Sequence, residues 1–411
     1  MWSEAIGLAD AEERREATPD TQYAVASITK TFTAASVFQL RDEGKLGLDD
    51  PLSHHLPEAA HGTPTIRHML AHASGLQREP PGEVWERLEF PDENDLLARL
   101  GEAEQVLAPA AAWHYSNLAY ALLGHVVSRV AGTPFRDYVQ QRLLDPLGLA
   151  RTSWGPTEPA AKPYFVEPYS DAVRREPELE LGGKGGESGL SSTVGDLARW
   201  GSFLADPDES VLAASSVAEM HELQIMAEPD WTYGWGLGLS LWRRGERIFA
   251  GHTGGFPGFL SMLAYSRVDR IGAVVLTNSG TWPKLGETGL TLAESALEEL
   301  TQEAAPWTPK DEPPEDVVPL LGRWWSEGSE TIFGWRGGRL EARLASAPPG
   351  REPSVFEPED EDRYRTVSGR ERGEVLRVVR DEAGAVVKLY WATYPFTREP
   401  EIFFGVDPDR T

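Results

Sequence analysis

Ala26-Ser27-Ile28-Thr29-Lys30-Thr31-Phe32-Thr33-Ala34-Ala35 follows a short alternating run, Gln22-Tyr23-Ala24-Val25, and opens an apolar stretch that continues to Leu40. The spacing predicts a helix over 27–43. Ser27 and Lys30 are three positions apart and share one face of that helix. Ser27 falls in the first turn, where unpaired backbone N–H groups and the positive end of the helix dipole favour a developing anion. A serine beside a lysine that can lose its proton is a known way to make an oxygen nucleophile. A lone Ser-x-x-Lys can equally be a cap followed by a solvated lysine. Two features favour the chemical reading. The neighbours of Lys30 are small or apolar, which suits a buried amine. The chain also carries 32 arginines against seven lysines, and of the two only lysine can be deprotonated in a protein.

The chain has 411 residues, enough for two or three domains. With 39 basic and 65 acidic residues its formal charge is -26. Such a surface repels phosphate backbones and anionic membranes, so nucleic acid is not expected as a partner. There is no cysteine, hence no disulfide, thiolate metal site or cysteine nucleophile. No apolar run reaches the length of a membrane span. Met1-Trp2-Ser3-Glu4 lacks the basic-apolar-small pattern of a signal peptide. As written, the sequence reads as cytoplasmic, or as periplasmic or secreted if the true start lies upstream.

Residues 2–9 read as a strand and 12–20 as a charged turn. His68 and His72 are four apart on an expected helix, which invites a zinc reading. Met69 stands where the metalloprotease pattern needs Glu, so packing or capping is the expected role and no metal is expected. Trp113-His114-Tyr115-Ser116-Asn117 leads into an apolar helix over 122–130, with Ser116 or Asn117 as a possible N-cap. Residues 134–147 read as a helix, 156–189 as a long loop, and 190–204 as a helix opening at Ser191-Ser192-Thr193. Gly182-Gly183-Lys184-Gly185-Gly186 lacks the spacing of a phosphate loop. Four runs, 233–241, 247–255, 259–265 and 271–278, read as antiparallel strands, with a helix over 285–300 behind them. Three domain segments follow: 1–305, a Pro-rich linker at 306–319, and a small β-barrel or sandwich over 320–411.

Ser27-Ile28-Thr29-Lys30, Tyr115-Ser116-Asn117 and His252-Thr253-Gly254 stand in that order. The arrangement resembles the serine β-lactamase and penicillin-binding-protein superfamily, and looks closest to its class C-like branch, which also holds esterases and D-amino-acid peptidases. Flanking segments, 65–76, 189–193 and 234–238, look like family segments too. The part after the linker resembles the lipocalin-like barrel appended to some members. The resemblance implies an α+β fold: an antiparallel sheet covered by helices, with a helical insertion over about 45–230.

The resemblance also implies roles. Ser27 is the expected nucleophile of an acyl-enzyme. Lys30 and Tyr115 share the general-base work, each with an ordinary pKa near 10 that its surroundings must lower. Asn117 binds the substrate's amide or carbonyl oxygen. Backbone N–H groups of Ser27 and Gly255 form the oxyanion hole, each donor being worth about 3 kcal/mol. Gly254 and Gly255 let the substrate approach their strand. No cofactor is expected, and the partner is a small-molecule or short-peptide substrate.

Two features depart from the family. His252 stands where it usually has lysine, and the family's first helix and strand are missing before residue 2. An unperturbed histidine, with a pKa of about 6.5, is mostly neutral at pH 7.5 and loses the attraction for a substrate carboxylate. Small esters and D-amino-acid amides are therefore expected ahead of β-lactams or D-alanyl peptides, with preference for anions falling as His252 loses its charge. A non-catalytic ligand sensor is the competing reading, against which the complete Ser27, Lys30 and Tyr115 set argues.

Overall fold

The computed structural model describes residues 2–59, 63–82, 84–88, 91, 93–167, 172–178, 186, 188–281, 285–299, 312–348 and 351–400. The chain divides into two compact units, Met1–Thr301 and Gln302–Thr411.

In the first unit, Ala26–Ile28 forms a tight 3-10 turn that runs into the helix Thr29–Asp42. Every residue from Thr29 to Leu40 is buried, so this helix has no solvent face. Its hydroxyls are satisfied locally. Thr31 Oγ1 donates to the Ile28 carbonyl at 2.8 Å and Ser36 Oγ to the Phe32 carbonyl at 2.9 Å. Trp200, from the helix Val194–Ala205, stacks on Phe32 at 3.9 Å and donates its indole N–H to Thr31 Oγ1 at 2.8 Å. The helix Asn117–Ala131 packs alongside. It starts where Ser116 Oγ accepts from Ala119 N–H at 3.0 Å and stops at Gly132, whose φ of +67° suits glycine.

Six antiparallel strands follow one another in space as in sequence: Ile225–Met226, Tyr233–Trp235, Ser240–Arg244, Arg247–Phe256, Phe259–Ser266 and Ile271–Thr277. The helix Leu285–Glu299 covers one face, where Leu285, Leu290 and Ala293 meet Phe249, Met262 and Ala264. The helix Val194–Ala205 also packs on the strands Phe259–Ser266 and Ile271–Thr277. This is the helix-covered antiparallel sheet that the sequence predicts. Among the described residues no helix is long and apolar enough to cross a membrane.

Local expectations fare unevenly. The strand expected over 2–9 shrinks to Leu8–Asp10, which pairs with Arg15–Glu16 in a small separate sheet and not with the main one. The helix expected from 190 is a strand, Leu190–Ser192, and the helix starts only after Thr193, whose hydroxyl caps it. Three consecutive hydroxyl residues offered three possible caps, and pairing of Ser191 and Ser192 with Tyr23 and Ala24 decides between them. The run 233–241 breaks into two strands at Gly238, whose φ is +91°. Residues 134–147 hold an α-turn, Phe135–Val139, and a π-turn, Gln140–Leu144. Within 45–230 the regular elements are predominantly helices, but the region also holds the strand pair Tyr164–Val166 and Val173–Arg175 and two of the three strands of the sheet that includes Tyr23–Ala24. Residues 182–185 of the Gly182–Gly186 run and 306–311 of the Pro-rich linker lie outside the described residues.

The second unit is an eight-stranded antiparallel meander from Gly322–Ser326 to Tyr394–Phe396, each strand beside the next. It nearly closes into a barrel. The first strand meets the chain's return through two bonds, Trp325 N to Thr397 O at 2.8 Å and Thr397 N to Trp325 O at 3.0 Å. Arg398 straps this seam, donating to the carbonyls of Leu321 and Arg323 at 3.0 Å while its guanidinium lies 3.8 Å from the Trp324 ring centroid. Trp324, Phe333, Phe356, Trp391 and Phe396 fill the interior. Each unit thus has its own apolar core. Produced separately, Met1–Thr301 and Gln302–Thr411 should each show a cooperative thermal transition by circular dichroism. Loss of the transition in either piece would mean that the two cores fold as one.

Candidate active site

Ser27 sits in the 3-10 turn directly after Ala26, which has a φ of +48° and is 1% exposed. A non-glycine residue there carries strain of about 1–3 kcal/mol, kept only where surrounding contacts over-determine it. Those contacts are visible. Val25 N–H donates to the Leu190 carbonyl at 3.0 Å, Leu190 N–H to Thr29 Oγ1 at 3.3 Å, and Ser261 Oγ to the Val25 carbonyl at 2.9 Å. A Cβ on Gly254 would fall 2.2 Å from the Val25 carbonyl oxygen and 2.3 Å from Ser261 Oγ. Gly254 therefore lets the strand Arg247–Phe256 close onto the segment carrying Ser27. The expected role of opening the strand to substrate fits Gly255 and not Gly254, because only Gly255 borders the cavity.

Lys30 is fully buried, and its Nζ donates to Ser27 Oγ at 3.1 Å. Deprotonated, the same amine can accept the hydroxyl proton over that path. Nζ also lies 5.2 Å from the Tyr115 ring centroid and 5.6 Å from that of Tyr120. Tyr120 is spoken for, since its hydroxyl donates to the Leu70 carbonyl at 2.7 Å and burial raises its pKa well above the ordinary value.

Ser27, Tyr115, Asn117, His252, Thr253 and Gly255 border one cavity of 410 Å³. The structure thus brings together every expected site residue except Gly254 and the buried Lys30, which does not itself border the cavity but bonds Ser27, which does. Asn117 is held from behind. Its backbone N–H donates to the Arg78 carbonyl at 2.7 Å and its Nδ2 to Glu79 Oε1 at 2.8 Å.

The sequence reading missed six further cavity residues. Arg78 and Glu79 bring a charge pair at 3.6 Å, and Arg78 also lies 5.0 Å from the Tyr115 ring centroid. Trp85, Trp113, Tyr233 and Trp235 supply an aromatic wall. Tyr233 and Trp235 were legible, because residues two apart on a strand face the same side. Trp113 stands two before Tyr115 in an extended stretch, a similar signal. The stretch 77–94 was expected to shape acyl-group choice, and no motif or spacing singled out Arg78, Glu79 or Trp85 within it.

His252 is 1% exposed. Its Nδ1 donates to the Thr253 carbonyl at 2.5 Å, and its Nε2 has no partner among the described residues. Burial, reinforced by the Lys30 charge, pushes its pKa down to about 3. The titration expected near 6.5 is thus displaced out of the working range, and the imidazole stays neutral from pH 5.5 upward.

His68 and His72 do not form a metal pair. His68 closes the capping box of the short helix Ile66–Leu70 with Thr65, while His72 lies beyond the helix end at a φ of +52°. Among the described residues the one cluster with metal-ligand geometry is Asp50, His54 and His55. There Asp50 Oδ2 already accepts from Gly47 N–H at 2.7 Å and pairs with His55 Nε2 at 3.0 Å, bonds that account for the cluster as a turn.

A buried lysine bonded to a serine, a tyrosine ring near the lysine and a glycine strand edge invite comparison with known proteins. Residues 1–298 match the family model described as Beta-lactamase. The chain belongs to the beta-lactamase family. It shares the fold of serine β-lactamases and penicillin-binding proteins. Residues 313–398 match a second model, a Domain of unknown function (DUF7586). The family relatives include Esterase EstB of Burkholderia gladioli, 37% identical over 189 residues, which are 42% of this chain and 47% of the esterase. The chain spans about half the length of such curated relatives. A D-stereospecific amidohydrolase from Streptomyces sp. superposes with a TM-score of 0.58 at 28% identity, covering 67% of this chain and 86% of its own. An octameric penicillin-binding protein homologue from Pyrococcus abyssi covers 96% of this chain and 92% of its own at 23% identity, with a TM-score of 0.64, and so shares the fold of nearly the whole chain.

The neutral His252 makes a specific forecast. The ratio of kcat/KM for a permanently anionic over a neutral acyl substrate should stay flat from pH 5.5 to 8.5. A fall centred near pH 6.5 would mean that His252 titrates in the free enzyme and is more exposed than its burial indicates.

Proposed function

We propose that this beta-lactamase family member is a serine hydrolase that forms an acyl-enzyme on Ser27 and acts on neutral esters or D-amino-acid amides. The observation that carries the reading is the buried Lys30 Nζ, 3.1 Å from Ser27 Oγ. In this mechanism the neutral amine, acting with Tyr115, takes the Ser27 proton as Oγ attacks the substrate carbonyl. The developing oxyanion lies against the backbone N–H groups of Ser27 and Gly255, and Asn117 orients the acyl group. As the ester or amide bond breaks, the protonated base gives that proton to the departing alcohol or amine and leaves the acyl group on Ser27; the freed base then takes a proton from water, whose oxygen attacks the acyl-enzyme, and returns a proton to Ser27 Oγ as the acid is released. No metal or cofactor is called on.

The cavity's charge pattern supports neutral substrates. His252 offers no cation for a carboxylate, and Arg78 is compensated by Glu79 beside it. The aromatic wall of Trp113, Tyr233 and Trp235 suits an apolar or aromatic acyl group. The relatives named an esterase and a D-stereospecific amidohydrolase support the same two substrate classes.

The first test is labelling with a fluorophosphonate followed by mass spectrometry. One adduct per chain on Ser27 is expected, and Ser27→Ala should lower turnover by about a thousandfold or more with the fold intact. A folded Ser27→Ala protein with ordinary turnover would sink the assignment, and absence of any adduct would favour a ligand sensor. A panel of a nitrophenyl short-chain ester, a D-alanyl nitroanilide and a chromogenic cephalosporin reads the substrate class, with the cephalosporin expected to be slowest.

Lys30 and Tyr115 should also behave as one unit. The Lys30→Ala and Tyr115→Phe losses are expected to be non-additive, the double variant being little worse than either single. Multiplying losses would show that the two groups work in separate steps.

A further inference from the structure

His72 has no part in the mechanism above, yet it is fully buried and its ring stacks on Tyr115 at 4.1 Å, with the ring planes 30° apart. It grips the chain on both sides of that tyrosine. Its backbone carbonyl accepts from His114 N–H at 2.7 Å, and its side-chain Nδ1 accepts from Ser116 N–H at 3.1 Å. One residue thus bonds the positions before and after Tyr115 while its ring lies on the Tyr115 ring. We propose that His72 is the positioning residue for Tyr115, a two-point brace that fixes the phenol relative to Lys30 and Ser27; the role rests on the reading of Tyr115 as a base.

Two observations support the brace. The φ of His72 is +52°, a left-handed conformation uncommon for residues with a side chain, in which Asn, Asp and His are the ones enriched. The chain needs this bend, since it turns the carbonyl and the imidazole of one residue toward the same neighbouring segment. The second observation is chemical. To accept at Nδ1 the imidazole must be neutral with its proton on Nε2. Burial first, and the nearby Lys30 charge next, hold the His72 pKa well below its ordinary value, so Nδ1 stays an acceptor at working pH. Trp235, edge-on to the His72 ring at 4.7 Å, closes the far side.

Three substitutions test this. His72→Asn tolerates the bend and offers an amide oxygen to Ser116 N–H. His72→Gly tolerates the bend and offers no acceptor. His72→Phe keeps a ring against Tyr115 and offers no acceptor. Asn should keep kcat within about threefold of the parent. Gly and Phe should lower kcat by roughly a hundredfold with KM little changed, the cost of a misplaced reacting group. Combining Gly or Phe with Tyr115→Phe should lose nothing beyond Tyr115→Phe alone. Near-UV circular dichroism identifies which variants are folded. A folded Gly or Phe variant with parental kcat overturns the brace, as does a double variant clearly worse than Tyr115→Phe. If neither folds while Asn does, the contact is a folding element and the proposal fails. If Tyr115→Phe itself leaves kcat unchanged, the reading of Tyr115 as a base fails first, which is a separate result.

Discussion

A lysine amine with no exposure to water is the constraint to which the rest of the site answers. An ammonium taken out of solvent costs several kcal/mol unless its surroundings replace the lost hydration. Part of that replacement is a serine hydroxyl at 3.1 Å and the faces of two tyrosine rings at 5.2 and 5.6 Å. Aromatic faces stabilise a cation without accepting a covalent share of its proton, so they limit the penalty without removing the lysine's use as a base. Arginine could meet the packing but not the proton transfer.

Holding that amine beside a hydroxyl needs three distant parts of the chain to meet. The turn Ala26–Ile28 brings Ser27, the stretch before the helix Asn117–Ala131 brings Tyr115, and the strand Arg247–Phe256 brings His252 and Gly255. Each junction is fixed by a small, specific device: a missing Cβ at Gly254 against Val25, a serine cap at Ser116, a left-handed residue at Ala26. None of these contributes much stability alone. Together they restrict the relative motion of groups whose work depends on fractions of an ångström.

The core chemistry could be read from the sequence because it lies in short motifs whose spacing has a structural meaning. Ser27 and Lys30 share a helical face, and Tyr115 and Asn117 flank a cap. The sheet was legible for a similar reason, since its strands follow one another with short turns. Reading failed where the deciding contact is distant in sequence. The strand Leu190–Ser192 exists because it pairs with Tyr23 and Ala24, and 190–204 by itself reads equally well as a capped helix. Arg78 and Glu79 enter the cavity on a loop and Trp85 on the single helical turn Val84–Arg87, too short to show periodicity. Gly254 and Gly255 are identical letters facing different ways. The titration of His252 depended on burial that no local pattern reveals.

Among the described residues, the C-terminal barrel closes through one pair of backbone bonds and one arginine, whereas its other seams run over several residues. It is therefore best thought of as a clasped ribbon. Releasing the clasp costs little compared with melting any interior ladder, and it opens a nearly closed structure into a sheet with two free edges. Each freed edge then offers unpaired N–H and C=O groups to another chain. Arg398 protects against that exchange, because it ties together carbonyls that would otherwise recruit a neighbouring strand.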